Sequence, residues 1–242
     1  MARVTADGVG IRFLFDRQSR VVTETLSHLR RRGSESWGLR DVSFELRPGE
    51  AVALVGRSGS GKTTLLRTIA GILAPDRGRI AVEGRVASLL SIDAGLMPIL
   101  TGRENTRLLG VLAGLPRAEA RRRVDAVRER TGLGRKFDRP VSSYSQGMRA
   151  RLGFAVAEQS EPSILLLDEV HEALDHEFRT IVEERASETV RAGGIVVAAG
   201  HDHPMLERLC DRALLLQDGR VARDGPFDDI QAAYLGEDGT SE

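Results

Sequence analysis

The chain has 242 residues, 41% of them hydrophobic, enough to bury a sizeable core as one large domain or a core with a subdomain. Acidic and basic residues balance at 35 each, which excludes a global field that would recruit nucleic acid or an anionic membrane, and no nucleic-acid partner is expected. The single cysteine, Cys210, excludes an internal disulfide and fits a reducing compartment; with no leader pattern and no apolar run near about eighteen residues, the chain is expected neither to be exported nor to span a bilayer.

Val9 to Phe15 reads as a strand, with Phe13 and Phe15 on one face by period-2 alternation; the plain alternative is that both are core. Asp16 to Arg32 changes to a helical pattern, with Val21, Val22, Leu26 and Leu29 on one face, and Gly33 stops it. Arg40 to Leu46 alternates again, and Arg47-Pro48-Gly49-Glu50 is a turn. Ala51 to Val55 is then a short apolar strand that runs into Gly56-Arg57-Ser58-Gly59-Ser60-Gly61-Lys62-Thr63, which fits the phosphate-loop pattern G-x-x-x-x-G-K-[ST] at every fixed position. Thr63 to Ile72, including Thr64, reads as the helix that must follow. The glycines let the backbone curl so that consecutive N–H groups and a helix start point at one spot, where a phosphate chain fits. Lys62 would hold the β and γ phosphates and the Thr63 hydroxyl would bind the bridging Mg²⁺. A glycine-rich turn can merely connect strand to helix, but the chain has only two lysines, Lys62 and Lys136, among its 35 basic residues, and one of them stands here.

Ala74 to Gly78 is a turn, and Arg79 to Leu90 looks like two short strands around Glu83-Gly84. Residues from about 93 to 160 turn helical; Thr101 with Glu104 makes a capping box, and Arg117 to Arg130 reads as one helix with Ala120, Val124 and Val127 on its apolar face. The arginines between 117 and 135 read as a solvated face rather than a partner contact. Ile164 to Leu167 is an uninterrupted apolar run that suits a central parallel strand, ending in Asp168 and Glu169. Ligands of open α/β sheets lie at the carboxyl ends of strands, so Asp168 is placed to bind Mg²⁺ and Glu169 to orient the attacking water. Gly194 to Ala199 delivers His201 in the same way; a metal role with His203 lacks a third ligand, and a donor to the γ phosphate is the better reading. Ala213 to Ala222 is a hairpin turning at Asp218-Gly219, and the tail after Gly236 is polar and expected to fray.

Taken together, Gly56 to Thr63, Tyr144-Ser145-Gln146-Gly147-Met148, Leu165 to Glu169, Ala173-Leu174-Asp175 and His201 resemble the ATP-binding subunit of an ABC transporter. The resemblance implies an α/β fold, a P-loop NTPase (RecA-like) core with an antiparallel β subdomain and an inserted α-helical subdomain, as a single nucleotide-binding domain over residues 1–242. It implies ATP and Mg²⁺ as ligands, an ATPase, a homodimer in which Ser145, Gln146, Gly147, Met148 and Asp175 complete the partner's nucleotide site, and an integral-membrane permease through which the chain is held, peripherally, at the cytoplasmic face of the inner membrane. The variant signature, with Ala87-Ser88-Leu89-Leu90 and Leu100-Thr101-Gly102-Arg103-Glu104-Asn105, is similar to the exporters of lipid-linked bacterial polysaccharides such as O-antigen, teichoic acid and galactan. In that group residues 17–32 match a helical insertion, and some members add a C-terminal carbohydrate-binding domain, which is not expected here. The family's glutamine after the second β strand falls near Ile92, between Ser91 and Asp93. The adenine-stacking aromatic is Phe13 by best fit, with Phe15 and Trp37 as alternatives. A soluble ATPase of iron–sulfur cluster assembly, an exporter of another substrate and a non-hydrolysing switch are the competing readings.

Overall fold

A computed structural model describes residues 1–15, 34–89, 95–168, 176–200 and 203–238. The sequence-predicted helix at 16–32 lies outside them. Among the described residues, a three-stranded antiparallel sheet of β1 (Arg3–Phe15), β2 (Ser34–Leu46) and β4 (Arg77–Glu83), in the order β2-β1-β4, lies over a six-stranded sheet. The larger sheet has β5 (Val86–Leu89), β6 (Ile164–Leu167), β7 (Ile195–Ala199), β3 (Ala51–Val55), β8 (Arg212–Gln217) and β9 (Arg220–Pro226) in that order. Its first five strands are parallel, and β9 closes the edge as a hairpin on β8.

The apolar runs are continuous because both faces of this sheet are covered. Val52 and Leu54 of β3, with Ile164 and Leu166 of β6, pack toward the three-stranded sheet and α1 (Lys62–Ile69). Ala53, Val55, Leu165 and Leu167 pack on the other face, against helices that include α5 (Gln146–Glu158), α6 (His176–Arg191), α7 (His203–Leu209) and α8 (Phe227–Asp238). A third cluster, built from Val124, Val127, Phe137, Tyr144 and Leu152, holds a helical subdomain with α2 (Gly102–Leu112), α3 (Arg117–Arg122) and α4 (Val124–Thr131). Helix α5 serves two cores at once: Ala150 and Phe154 face the sheet, Leu152 and Val156 the subdomain.

Several expected boundaries shift. Strands β1 and β2 are each 13 residues long, because they pair with each other through bulges over most of their length. The two short strands around Gly84 are not a hairpin; β4 belongs to one sheet and β5 to the other. Gly84, at φ 131, makes the crossing so close to Ser163 that an added Cβ would lie 2.5 Å from its Oγ. The region from residue 95 to Leu100 is turns rather than helix, with the first helix starting at the Thr101 cap. The single helix expected over Arg117–Arg130 breaks at Arg123, whose guanidinium is tied to Glu119, Glu161 and the carbonyl of Gln159. The break lets α3 pack on α2 while α4 packs on α5, and Ala120, Val124 and Val127 are all buried as the pattern requires.

Candidate nucleotide site

The phosphate loop leaves β3 at its carboxyl end, between β7 and β8. Gly56, at φ 149, is packed so tightly that a Cβ would lie 2.3 Å from the Leu216 carbonyl oxygen. Gly61, at φ 112, is the N-cap of α1, and a Cβ there would sit 2.7 Å from the Gly38 carbonyl oxygen. No side chain caps this helix, so its first-turn N–H groups and dipole face an anion site. Lys62 is only 5% exposed, and its Nζ donates to the carbonyls of Gly56 at 2.6 Å and Arg57 at 3.2 Å, which folds the ammonium into the span of the loop. A cavity of about 430 Å³ opens against Gly56, Arg57, Ser58, Gly59 and Ser60, walled by Gln217 and Asp218 at the end of β8 and by Tyr234 of α8. Open amides, a buried ammonium and a cradle with no room for Cβ atoms are the donor set a polyphosphate requires.

Strand register brings the carboxylate to the same edge. Leu167 pairs with Ala198, which pairs with Ala53, so Asp168 emerges level with Leu54, two strands from the loop. Asp168 is 5% exposed, and Thr63 and Thr64 are half-buried in the first turn of α1. Thr63 and Asp168 are oxygen ligands of the kind Mg²⁺ takes. Glu169, Asp175 and His201 lie outside the described residues.

Phe13, 36% exposed, does not line that cavity but lies near the start of α1. Its partner across the ladder is Ser36, and a Cβ on Gly38 would come within 2.5 Å of the Phe13 ring and 3.2 Å of Thr64 Cγ2. The ring therefore lies beside the start of α1. Trp37, next along β2, points to the opposite face, where Arg77 covers it with its Cζ 5.0 Å from the ring centroid. Phe15 is described only in its backbone.

Ser145 is the N-cap of α5, its Oγ accepting from Met148 N at 3.3 Å. Ser145 and Gln146 are exposed, Gly147 and Met148 half-buried. Behind them Tyr144 is a rigid anchor: its hydroxyl donates to the Lys136 carbonyl at 2.9 Å, its carbonyl accepts from Arg149 Nη1 at 2.8 Å, and burial pushes its phenol above the ordinary value. Residues 145 to 148 do not line the phosphate-loop cavity. Sequence reasoning missed Gly38, whose carbonyl abuts Gly61 and Gly219, and the walls Gln217, Asp218 and Tyr234. The Asp218-Gly219 turn was the available signal, but it announces a hairpin and not what the hairpin touches.

A phosphate loop after a central parallel strand, facing an acidic strand end, defines a nucleoside-triphosphate-binding protein. The family described as ABC transporter matches residues 39–172. The chain is 38% identical over 203 residues to the O-antigen export system ATP-binding protein RfbB of Klebsiella pneumoniae, covering 84% of this chain and 82% of that protein. It is 35% identical over 198 residues to the teichoic acids export ATP-binding protein TagH of Lactococcus lactis, covering 82% of this chain and 42% of that longer protein. Among solved structures, the fold matches a dimeric ATP-binding cassette in a post-hydrolysis state with ADP and Pi, at TM-score 0.76 and 22% identity over 93% of this chain and 98% of that one. The chain belongs to the ABC transporter family, as one of its ATP-binding ATPase subunits. No described helix is long and apolar enough to cross a membrane.

Proposed function

We propose that the chain hydrolyses ATP to drive a membrane permease that exports a lipid-linked polysaccharide, working as a homodimer bound to the permease at the cytoplasmic face of the inner membrane. The observation that carries the export reading is the 38% identity, over most of both chains, to an O-antigen export ATP-binding protein. The teichoic acid relative supports the same substrate class.

In this reading the amides of Gly59 to Thr64 and the Lys62 ammonium bind the phosphates, and Phe13 stacks on the adenine. Thr63 and Asp168 hold Mg²⁺, which would neutralise charge on the β and γ phosphates. Glu169 orients water and His201 donates to the transferring phosphoryl group. One chain holds half of this site: Ser145 and Gln146 are exposed at the start of α5, and residues 145 to 148 do not line the phosphate-loop cavity of their own chain. Their helix start, with its N–H groups, suits the γ phosphate bound by a second copy, so that ATP joins the two heads and hydrolysis releases them. The test is to copurify the chain with its permease in lipid and add lipid-linked glycans. A severalfold rise in ATPase rate with one such glycan is expected. A complex that hydrolyses ATP at one rate with and without every lipid-linked glycan tried, yet responds to a different class of substrate, contradicts the export assignment.

A further inference from the structure

A second cavity, of about 440 Å³, lies on the far side of β2 from Phe13. It is formed by Gly8 and Gly10 of β1, Trp37, Arg40 and Asp41 of β2, Arg77 at the start of β4 and Arg220 at the start of β9. We infer that this pocket binds a phosphorylated sugar, either a hexose phosphate or the ribose phosphate of a nucleotide, at a site separate from the phosphate loop.

Arg40, Arg77 and Arg220 all line it, and none of the three has a carboxylate partner among the described residues. Other arginines of the same sheets are paired, as Arg212 is with Glu50 at 3.0 Å and Asp224 at 2.7 Å. Against them stands one carboxylate, Asp41, leaving a local excess of positive charge in a chain that is neutral overall. Arginines without carboxylate partners on the wall of one cavity suit phosphoryl oxygens, which a guanidinium binds with two parallel hydrogen bonds.

The remaining walls suit a sugar ring. Trp37 lines the pocket with Arg77 over one face of its ring, giving it an apolar aromatic wall, and Asp41 offers an acceptor for hydroxyls. Gly10 makes the room: a Cβ there would lie 3.0 Å from Trp37 Cζ3 and 3.4 Å from Arg77 Cβ. The frame is fixed from behind, where Asp76 accepts from Arg12 N at 2.7 Å and its own N–H donates to the Gly10 carbonyl at 2.8 Å. Asp41, at φ 54, sits where β2 bulges against β1. The same strand reaches the nucleotide site, because Arg40 N donates to the Gly219 carbonyl at 2.6 Å and the Gly38 carbonyl abuts Gly61.

Trp37 is the chain's sole tryptophan, so its fluorescence reports on this pocket. The experiment titrates glucose 1-phosphate, ADP, glucose and inorganic pyrophosphate into the full chain carrying Lys62→Ala, which disables the phosphate loop. Saturable quenching by glucose 1-phosphate or by ADP is expected, the two arms telling hexose phosphate from nucleotide, with none from glucose. Adding Arg40→Ala and Arg220→Ala, both exposed and unpaired, should weaken binding at least about tenfold. No saturation by either phosphorylated probe, equal binding of pyrophosphate, or full binding without Arg40 and Arg220 would overturn the assignment.

Discussion

Phe13 is the residue whose role the neighbours decide most sharply. Beside Gly38 and Thr64 its ring can cover a base bound at the loop, whereas Trp37 is turned to the other face and occupied by Arg77. Aromatic stacking contributes about 1 kcal/mol, so Phe13→Ala should weaken ATP binding at the phosphate loop roughly fivefold, an effect Trp37→Phe should not reproduce at that loop. Isothermal titration of both variants checks this, and the reverse pattern would move the adenine to the other face. Cys210 shows the opposite kind of site. Burial, with Asp211 nearby, pushes its thiol up to about 12, so the thiol stays protonated across the physiological range and the thiolate never forms in the native state. Thiol reagents at pH 8 should leave it unmodified until denaturant unfolds the chain; rapid native-state labelling would contradict that.

At the scale of elements, local chemistry was legible and long-range pairing was not. The capping box forms as read: Thr101 Oγ1 accepts from Glu104 N at 3.1 Å, and Glu104 accepts from Thr101 N at 2.9 Å. Those hydrogen bonds hold the Glu104 carboxyl below its usual range. Thr101→Ala should cost about 1 kcal/mol in urea unfolding, without loss of ATP binding, and an unchanged midpoint would mean that the helix does not depend on its cap. The phosphate loop was equally legible, since its spacing is fixed by a ligand and needs no knowledge of the fold. The destination of β5 was not. Glu83-Gly84 carries a turn signal, but nothing local says that the chain crosses from one sheet to the other there. Arg123 likewise breaks a helix for the sake of partners at Gln159 and Glu161, some 36 and 38 positions away.

Across the whole molecule the candidate nucleotide site draws on both sheets. Phe13 belongs to the three-stranded sheet, the phosphate loop and Asp168 to the six-stranded one, and Gly38 packs between them. Ser145 and Gln146 are exposed at the start of α5, behind which Met148 packs on the helical subdomain's core and the Tyr144 hydroxyl donates to the Lys136 carbonyl. On the proposed function, the signature meets a phosphate across an interface with a second copy. Glu169→Gln should preserve ATP binding while stopping the hydrolysis that lets the heads part. The most direct measurement is therefore the solution mass of the Glu169→Gln chain with and without ATP and Mg²⁺. A single 26.4 kDa chain without nucleotide and a particle of twice that mass with it is the predicted result. A chain that binds ATP at saturation and stays at its single mass would contradict the shared site.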